Sequence, residues 1–378
     1  MAQNRNLFRL TRFILLKLPY LFRFLAWSRP TRKRLLIVKA DAIGDYILFR
    51  NFIGKIKLSE KYRNYEIDLL GNQVWESLTT DYDAQYIGKF FFTKPYQLYH
   101  QPSAVFKLGL VLFRRGYSII LNPSSTRLLV TDGLIGMAAA KESLGWESNT
   151  EGIDAKYKCK TDEFYTTRLT LPSTIYHEFH RNKFFFDNVL NERTLIEGPM
   201  LPVKQTAKTG IMIFPGAGIK KRGWETDKCV ALIKLILQNS AENVTIAGGP
   251  DEVIVNDAIC QQVNSERLIN LTGKTTLPQL VQKVAASVLL VGNDSGAIHM
   301  AVATGTSSVC LTGGGHFNRF VPYPDDFANA PVCVYQKLDC YYCNWNCIYQ
   351  TAADERYPCI SVITVDAAWQ AVQPLLPA

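Results

Sequence analysis

Short apolar runs bounded by charge or glycine alternate with helical spacings along most of this chain, and the alternation runs twice. The first series opens with RLLIVKA (34–40), a Leu-rich and β-branched run that reads as a buried strand. DAIGDYILFRNFIGKIK (41–57) follows, with Ile43, Ile47, Phe49, Phe52, Ile53 and Ile56 at helical spacing. YEIDLLGN (65–72) and AQYIGKFFF (84–92) read as strands around a short helix at 74–80. A helix at 103–115 precedes the strand YSIILNPSS (117–125), and 173–195 reads as an aromatic-rich helix. The prolines and glycines of 196–210, without periodicity, mark a linker. The second series then begins: strand and loop at 210–218, helix at 224–239 with Thr226 as a candidate cap, strand and loop at 243–252, and a further helix. LINLTG (268–273), a helix at 277–287, the strand VLLVG (288–292) with its helix, and a last helix at 364–376 complete it. Such alternation implies a parallel sheet covered on both faces. Two series imply two Rossmann-like halves in an α/β chain.

In sheets of this kind, ligands sit beyond the carboxyl ends of the strands. The second half places glycine and polar residues there three times: FPGAG (214–218), GGPDE (248–252) and GNDSG (292–296). One glycine-rich loop would mean little; three in one sheet point to a nucleotide-type ligand. Asp294, Ser295 and Gly296 lie at the start of a helix, where free amides and the helix dipole favour a diphosphate. His299 is one turn further on. Asp294 or Ser295 could equally be an ordinary N-cap, and His299 a satisfied half-buried histidine. Lys220, Lys221 and Arg222 precede the next helix and suit an anion, or form a solvated basic loop. Glu252 suits ribose hydroxyls, or merely starts a helix. In the first half, Asp41 and Asp45 flank Gly44 after the first strand. Either can cap, but Asp45 is placed to face a cleft between the halves as a general base.

LLIVKADAIGDYIL (35–48) resembles the opening of the lipopolysaccharide heptosyltransferase family, glycosyltransferase family 9. FPGAG with KKRGW (220–224), GGPDE, LTGKTTLPQL (271–280) and VGNDSGAIHMAVATGTSSVCLTG (291–313) resemble its donor-domain motifs in the same order. HEFHRNKFFFDNVL (177–190) is similar to the helix before its linker, and the match covers roughly 34–365. The resemblance implies a GT-B fold, two facing Rossmann-like domains with parallel sheets. It implies inverting, metal-independent transfer from a nucleotide sugar, typically ADP-heptose, onto a lipopolysaccharide core or related surface glycan. Asp45 matches the catalytic aspartate; Asp294, Ser295, Gly296 and His299 match the donor-diphosphate motif. Glu252 matches the nucleoside-holding acid, and Lys221 or Arg222 the basic residue near the phosphates. The chain departs from the pattern in three places. Asp41 stands where a small or hydroxylic residue is usual, so two acids share the acceptor side. The Lys-x-Trp spacing becomes Arg222-Gly223-Trp224. Gly216 and Ala217 replace hydroxyl residues, leaving backbone N–H groups for that work. A GT-B enzyme using another nucleotide sugar, or a sugar-nucleotide epimerase, is the alternative. An epimerase needs extra acids and histidines, and the first half offers only His100, His177 and His180. A non-catalytic binding module is disfavoured by the intact Asp45 and Asp-Ser-Gly-x-x-His.

The 378 residues carry a net charge of +9, which favours an anionic partner. The basic residues concentrate at the N-terminus rather than along a groove, which argues against nucleic acid. There, Arg5, Arg9, Arg12, Lys17 and Arg23 interrupt an apolar segment, so no run reaches the ~20 residues of a bilayer span. The pattern fits a basic amphipathic segment on an anionic membrane, or a helix packed on the protein's own surface. Pro19 should kink or end it. The implied site is cytoplasmic and peripheral, on the inner face of the cytoplasmic membrane. Cys340, Cys343, Cys347 and Cys359 are spaced for a structural zinc, or are reduced thiols or a labile disulfide. DYD (81–83) has an acid-x-acid form but reads as surface. The expected layout is a basic segment at 1–33, an acceptor domain at 34–197, a linker at 198–209, a donor domain at 210–363 with a Cys-rich stretch at 333–359, and a helix at 364–378.

Overall fold

In the computed structural model, which describes residues 5–147, 155–204, 206–352 and 354–377, both strand series form parallel sheets. The chain divides into one unit of Met1–Ile175 with His180–Leu195, and a second of Tyr176–Phe179 with Ile196–Ala378.

The strands of the first unit are β1 (Arg32–Lys39), β2 (Glu66–Asn72), β3 (Lys89–Thr93), β4 (Tyr117–Leu121), β5 (Glu142–Trp146) and β6 (Thr167–Leu169). They lie in the order β3-β2-β1-β4-β5-β6, all parallel. Leu35 to Lys39 are buried without alternation, as a strand covered on both faces requires. The helices are α1 (Arg5–Leu25), α2 (Ile43–Phe49), α3 (Asn51–Leu58), α4 (Glu76–Tyr82), α5 (Pro95–Leu98), α6 (Pro102–Arg115), α7 (Leu129–Ala138), α8 (Ala155–Thr161) and α9 (Glu178–Leu190). The division between units falls within α9. The single helix expected over 41–57 is interrupted at Arg50, where the ladder tightens to an Ile53 N to Arg50 O bond of 3.0 Å. The strand expected from 84 begins only at Lys89, because Ala84–Tyr86 is a 3₁₀ turn anchored on Asp83.

The N-terminal segment packs on this unit, one of the two readings that its pattern left open. Ile14, Leu15 and Phe22 of α1 join the core formed with Leu112, Leu134 and Ile135 of α6 and α7. Pro19 neither ends nor breaks α1, which runs on to Leu25. Two glycines of α7 explain the close approach. A Cβ on Gly133 would come within 2.6 Å of the Leu15 side chain and 2.9 Å of its carbonyl oxygen, and one on Gly136 within 2.8 Å of Pro19 Cβ. The Leu15 carbonyl is the one that Pro19 deprives of an amide partner. Every residue of α7 is buried.

The second unit holds β7 (Ile211–Phe214), β8 (Val244–Ile246), β9 (Leu268–Asn270), β10 (Leu289–Asn293), β11 (Ser307–Leu311) and β12 (Val332–Val334), in the order β12-β11-β10-β7-β8-β9. All pairs are parallel. Counted within the unit, the order is that of the first sheet, so each sheet reverses direction beside its first strand. The helices are α10 (Thr226–Asn239), α11 (Val253–Val263), α12 (Leu277–Ala285), α13 (Gly296–Thr304), α14 (Pro358–Ser361) and α15 (Val365–Val372). Glu225, not Thr226, is the N-cap of α10, and Thr226 is its first helical residue. Ala368 and Val372 of α15 enter the core with Ile233 and Ile236 of α10, so the last helix belongs to this unit.

The seat of α1 on α7 has a direct test. Gly133→Leu should destabilise the protein by about 1–3 kcal/mol through overpacking. Gly218→Ala, whose Cβ meets only Arg222 Nη1 at 3.9 Å, should stay within about 0.5 kcal/mol of the parent. Urea unfolding followed by tryptophan fluorescence compares them; equal stability of the Gly133 variant would mean that α1 is not held there.

Candidate functional site

The reversal of strand order places the ends of β7 and β10 side by side in the second unit. Asn293, the buried last residue of β10, joins their loops. Its Nδ2 donates to Pro215 O at 2.6 Å and to Gly216 O at 3.3 Å, and its Oδ1 accepts from Trp224 N at 3.1 Å. An amide buried at a strand end needs such partners. The sequence reading had not given Asn293 a role, although a polar residue closing an apolar strand is itself a signal.

Asp294 follows, buried, and α13 starts two residues on. Ser295 takes the N-cap position in extended conformation, but its side chain makes no cap bond. It is therefore not the ordinary cap that its position allowed. Arg222 reaches this helix start: its Nη2 lies 3.2 Å from Asp294 O and 3.3 Å from Asp294 Oδ2. Its guanidinium carbon sits 4.3 Å from the centre of the Trp345 ring. Burial pushes the Asp294 carboxyl up, and the Arg222 charge opposes that shift. Lys221 turns elsewhere, donating to Thr351 Oγ1 at 2.8 Å and Thr351 O at 3.1 Å. Of the two basic candidates, only Arg222 is at the helix start.

Glu252 reaches back between two glycine loops. A Cβ on Gly216 would fall 1.3 Å from Glu252 Oε1, and one on Gly248 2.3 Å from Oε2. Oε2 accepts from Gly249 N at 2.7 Å. Burial raises the Glu252 pKa, with the Gly249 bond opposing. Ala217 is half-buried in the same loop. Gly216, Glu252, Arg222, Asp294, Ser295 and Gly296 thus gather on the carboxyl edge of one sheet.

His299 has a different environment from that expected. It is buried, and its Nδ1 lies 2.6 Å from Tyr323 Oη, with Phe320 also beside the ring. Burial lowers its pKa to about 4. The residue is neutral at physiological pH, so it can offer a hydrogen bond but no charge.

In the first unit the same reversal brings together the ends of β1 and β4. Asp41 Oδ2 lies 2.8 Å from Lys39 Nζ, whose side chain is 0% exposed, and accepts from Ser124 Oγ at 2.6 Å. The Asp41 carbonyl accepts from Asn72 Nδ2 at 3.1 Å and Trp75 Nε1 at 3.0 Å. Asp41 is tied into the scaffold. Asp45 lies in the first turn of α2, half-buried. The Tyr96 hydroxyl is pushed up by burial and then by the charges of Asp41 and Asp45, which places all three in one neighbourhood. Lys39 and Ser124 were not singled out from sequence; a lysine ending an apolar strand was the available signal.

The surface reading of DYD needs correction. Asp83 of DYD is buried, pairing with Arg50 Nη2 at 2.7 Å and accepting from the Tyr46 hydroxyl. Only Asp81 is exposed. The thiols of Cys340, Cys343, Cys347 and Cys359 are free, and those of Cys340 and Cys359 are raised by burial first and then by the other sulfurs. Among the described residues, no three His, Cys, Asp or Glu side chains are arranged to hold a metal ion.

The buried histidine generates a pH prediction. An unfolded imidazole takes up its proton near 6.5, whereas His299 resists until about 4. Between these values the unfolded chain binds the extra proton, so stability falls as pH falls. The full effect is on the order of 3 kcal/mol. Urea unfolding across this window should show a smaller fall in His299→Gln than in the parent; equal falls would remove His299 as a cause.

Residues 189–342 match the family model of glycosyltransferase family 9 (heptosyltransferase). A curated relative, lipopolysaccharide heptosyltransferase 3 of Escherichia coli K12, is 26% identical over 169 residues, which is 44% of this chain. The chain thus spans about half, 46%, of that relative's length. The solved structure of E. coli ADP-heptose LPS heptosyltransferase II matches with a TM-score of 0.64 at 16% identity, over 90% of this chain and 98% of that one. E. coli heptosyltransferase WaaC with ADP-2-deoxy-2-fluoro heptose matches with a TM-score of 0.65 at 13% identity, over 90% and 99%. With its two parallel six-stranded sheets, the chain has the GT-B fold, and its residues 189–342 are similar to glycosyltransferase family 9.

Proposed function

We propose that this protein is an inverting, metal-independent glycosyltransferase that moves heptose from ADP-heptose onto a lipopolysaccharide core or a related surface-glycan acceptor. The observation that carries the reading is Arg222, held by Asp294 and Trp345 at the uncapped start of α13. A nucleoside diphosphate needs that combination of a fixed cation and helix amides. The family 9 match supports the reaction class, and the named ligand of the WaaC structure supports the donor.

In this reading the diphosphate lies at Ser295, Gly296 and the following amide, with Arg222 taking the charge that develops on the leaving group. His299 donates a hydrogen bond from the ring nitrogen not engaged with Tyr323. Glu252 accepts from the ribose, while Gly216 and Ala217 leave the loop backbone open to the nucleotide. Asp45 takes the proton from the acceptor hydroxyl as its oxygen attacks the anomeric carbon, and the nucleoside diphosphate departs from the opposite face. Asp41 is assigned a positioning role, since Lys39 and Ser124 occupy its carboxylate. Lys221 is assigned to Thr351 instead of the phosphates. The acceptor is lipid-linked in this reading, which places the enzyme on the inner face of the cytoplasmic membrane. Among the described residues, no helix is long and apolar enough to cross a membrane.

Asp45→Asn should lower turnover by about 100- to 10,000-fold. ADP binding by calorimetry should stay within about twofold, since uniform binding is untouched. Retained turnover would move the base elsewhere. Transfer should also survive chelation by EDTA, with Arg222 in the role a divalent metal would otherwise fill; a strict Mg²⁺ requirement would overturn the metal-free mechanism. Binding of ADP-, GDP- and UDP-sugars tests the donor, and tighter binding of a GDP- or UDP-sugar would replace ADP-heptose.

A further inference from the structure

Helix α1 has two apolar faces, and the fold uses one. Thr11, Ile14, Leu15, Pro19 and Phe22 are buried in the first unit. Leu10, Phe13, Leu21 and Phe24 recur at steps of three, eight and three residues, which share one face of a 3.6-residue helix. They are 49%, 57%, 50% and 75% exposed, and Trp27 just beyond is 94% exposed. Arg5, Arg9, Arg12 and Arg23 form a row along the edge between the two faces. A helix interior to the protein has no use for an outer aromatic face, and a purely solvated helix would not carry one.

The basic row is completed from another element. Arg9, Arg12 and Lys17 of α1 face Lys156 and Lys160 of α8 across an open cavity of about 530 Å³. Tyr157 lies between the two helices: Arg12 donates to its hydroxyl at 2.8 Å, and Lys156 Nζ is 5.0 Å from its ring centre. Phe13 and Leu16 supply an apolar wall. Two buried arginines of this unit, by contrast, have carboxylate partners, Arg50 in Asp83 and Arg127 in Asp132. Among the described residues, no carboxylate lies within ion-pair distance of Arg9, Arg12, Lys17 or Lys160. Several like charges around one cavity favour an anion with more than one oxygen.

We propose that this cavity between α1 and α8 holds the phosphate of an anionic phospholipid headgroup while the outer face of α1 and Trp27 enter the boundary between headgroups and acyl chains. The lipid is favoured over a free phosphate because the cavity shares Phe13 with the exposed apolar face. A free ion gives that face no partner. An interfacial helix sets its apolar side into the bilayer with cations level with the phosphates. The inference deepens the membrane placement proposed above and rests on it, but not on the transfer chemistry.

The test uses the full chain and sedimentation with phosphatidylcholine vesicles, with or without phosphatidylglycerol. The parent should bind strongly only to vesicles containing phosphatidylglycerol, and high salt should weaken binding. The triple change Arg9→Gln, Arg12→Gln, Lys160→Gln should lower that binding by about 100-fold. Lys89→Gln, Lys94→Gln, Lys107→Gln, equal in charge lost and exposed on the same unit, should lower it far less. Leu10→Ser with Phe24→Ser should weaken it without altering the cavity. Circular dichroism and ADP binding confirm that each variant is folded. No binding by the parent overturns the membrane placement together with this site, and leaves the transferase reading standing. Equal loss in both triple variants overturns the cavity and leaves general charge attraction. Full displacement by inorganic phosphate at equal ionic strength overturns the lipid as occupant.

Discussion

Both units depend on one topological constraint: a parallel sheet whose strand order reverses must leave a crevice at the carboxyl edge beside its first strand. No crossover helix covers that point, so the loops there must satisfy their own polar groups. In the second unit Asn293 does this, binding two carbonyls of the β7 loop and one amide at Trp224. In the first, Ser124 at the end of β4 bonds Asp41 at the end of β1, and the buried Lys39 completes the triad. These side chains tie the loop ends together at each edge. Asp45, Arg222 and the start of α13 inherit their positions from them.

What the sequence discloses follows the same physics. Strands buried on both faces are plain in it, because continuous Leu, Ile and Val runs have few other uses. The loops after β7, β8 and β10 are plain as well, because glycine and polar residues there interrupt apolar runs. Helix α7 was not readable: it is apolar all round, so it has no amphipathic period, and Gly133 and Gly136 lower its helical propensity. The short β5 and β6 beyond it went unread with it. Side-chain directions were equally inaccessible. Lys221 and Arg222 are neighbours in sequence, yet one bonds Thr351 and the other Asp294. The charge state of His299 depends on Tyr323 and Phe320, some twenty residues away, and DYD offered no hint that Asp83 would be enclosed by Arg50 and Tyr46.

The N-terminal helix buries one apolar face in the first unit and leaves a second one exposed. Its inner face needs Gly133 and Gly136 for close approach, a packing relation fixed by a helix more than a hundred residues away. Its outer face is set by the local pattern alone. A periodicity argument treats a helix as having one apolar side, and α1 has two; this is why the local pattern could not choose between them.

Three glycines follow β11 at the carboxyl edge of the second sheet. They look like another phosphate loop, but the spaces beside them are filled by rings. A Cβ on Gly313 or Gly315 would strike Trp345, at 2.8 and 2.2 Å, and one on Gly314 would strike Tyr341 at 2.5 Å. Trp345 is the ring under the Arg222 guanidinium. The glycine triplet and the Cys-rich stretch therefore act through one another: small residues admit the indole, and the indole holds the cation beside Asp294. An arginine already stacked and paired loses less side-chain freedom when an anion arrives than a solvated lysine would. This gives the Cys-rich stretch a role in positioning that needs no bound metal, and it accounts for the departure from Lys-x-Trp. A planar guanidinium can stack on an indole and still donate in its own plane, which an ammonium group cannot do.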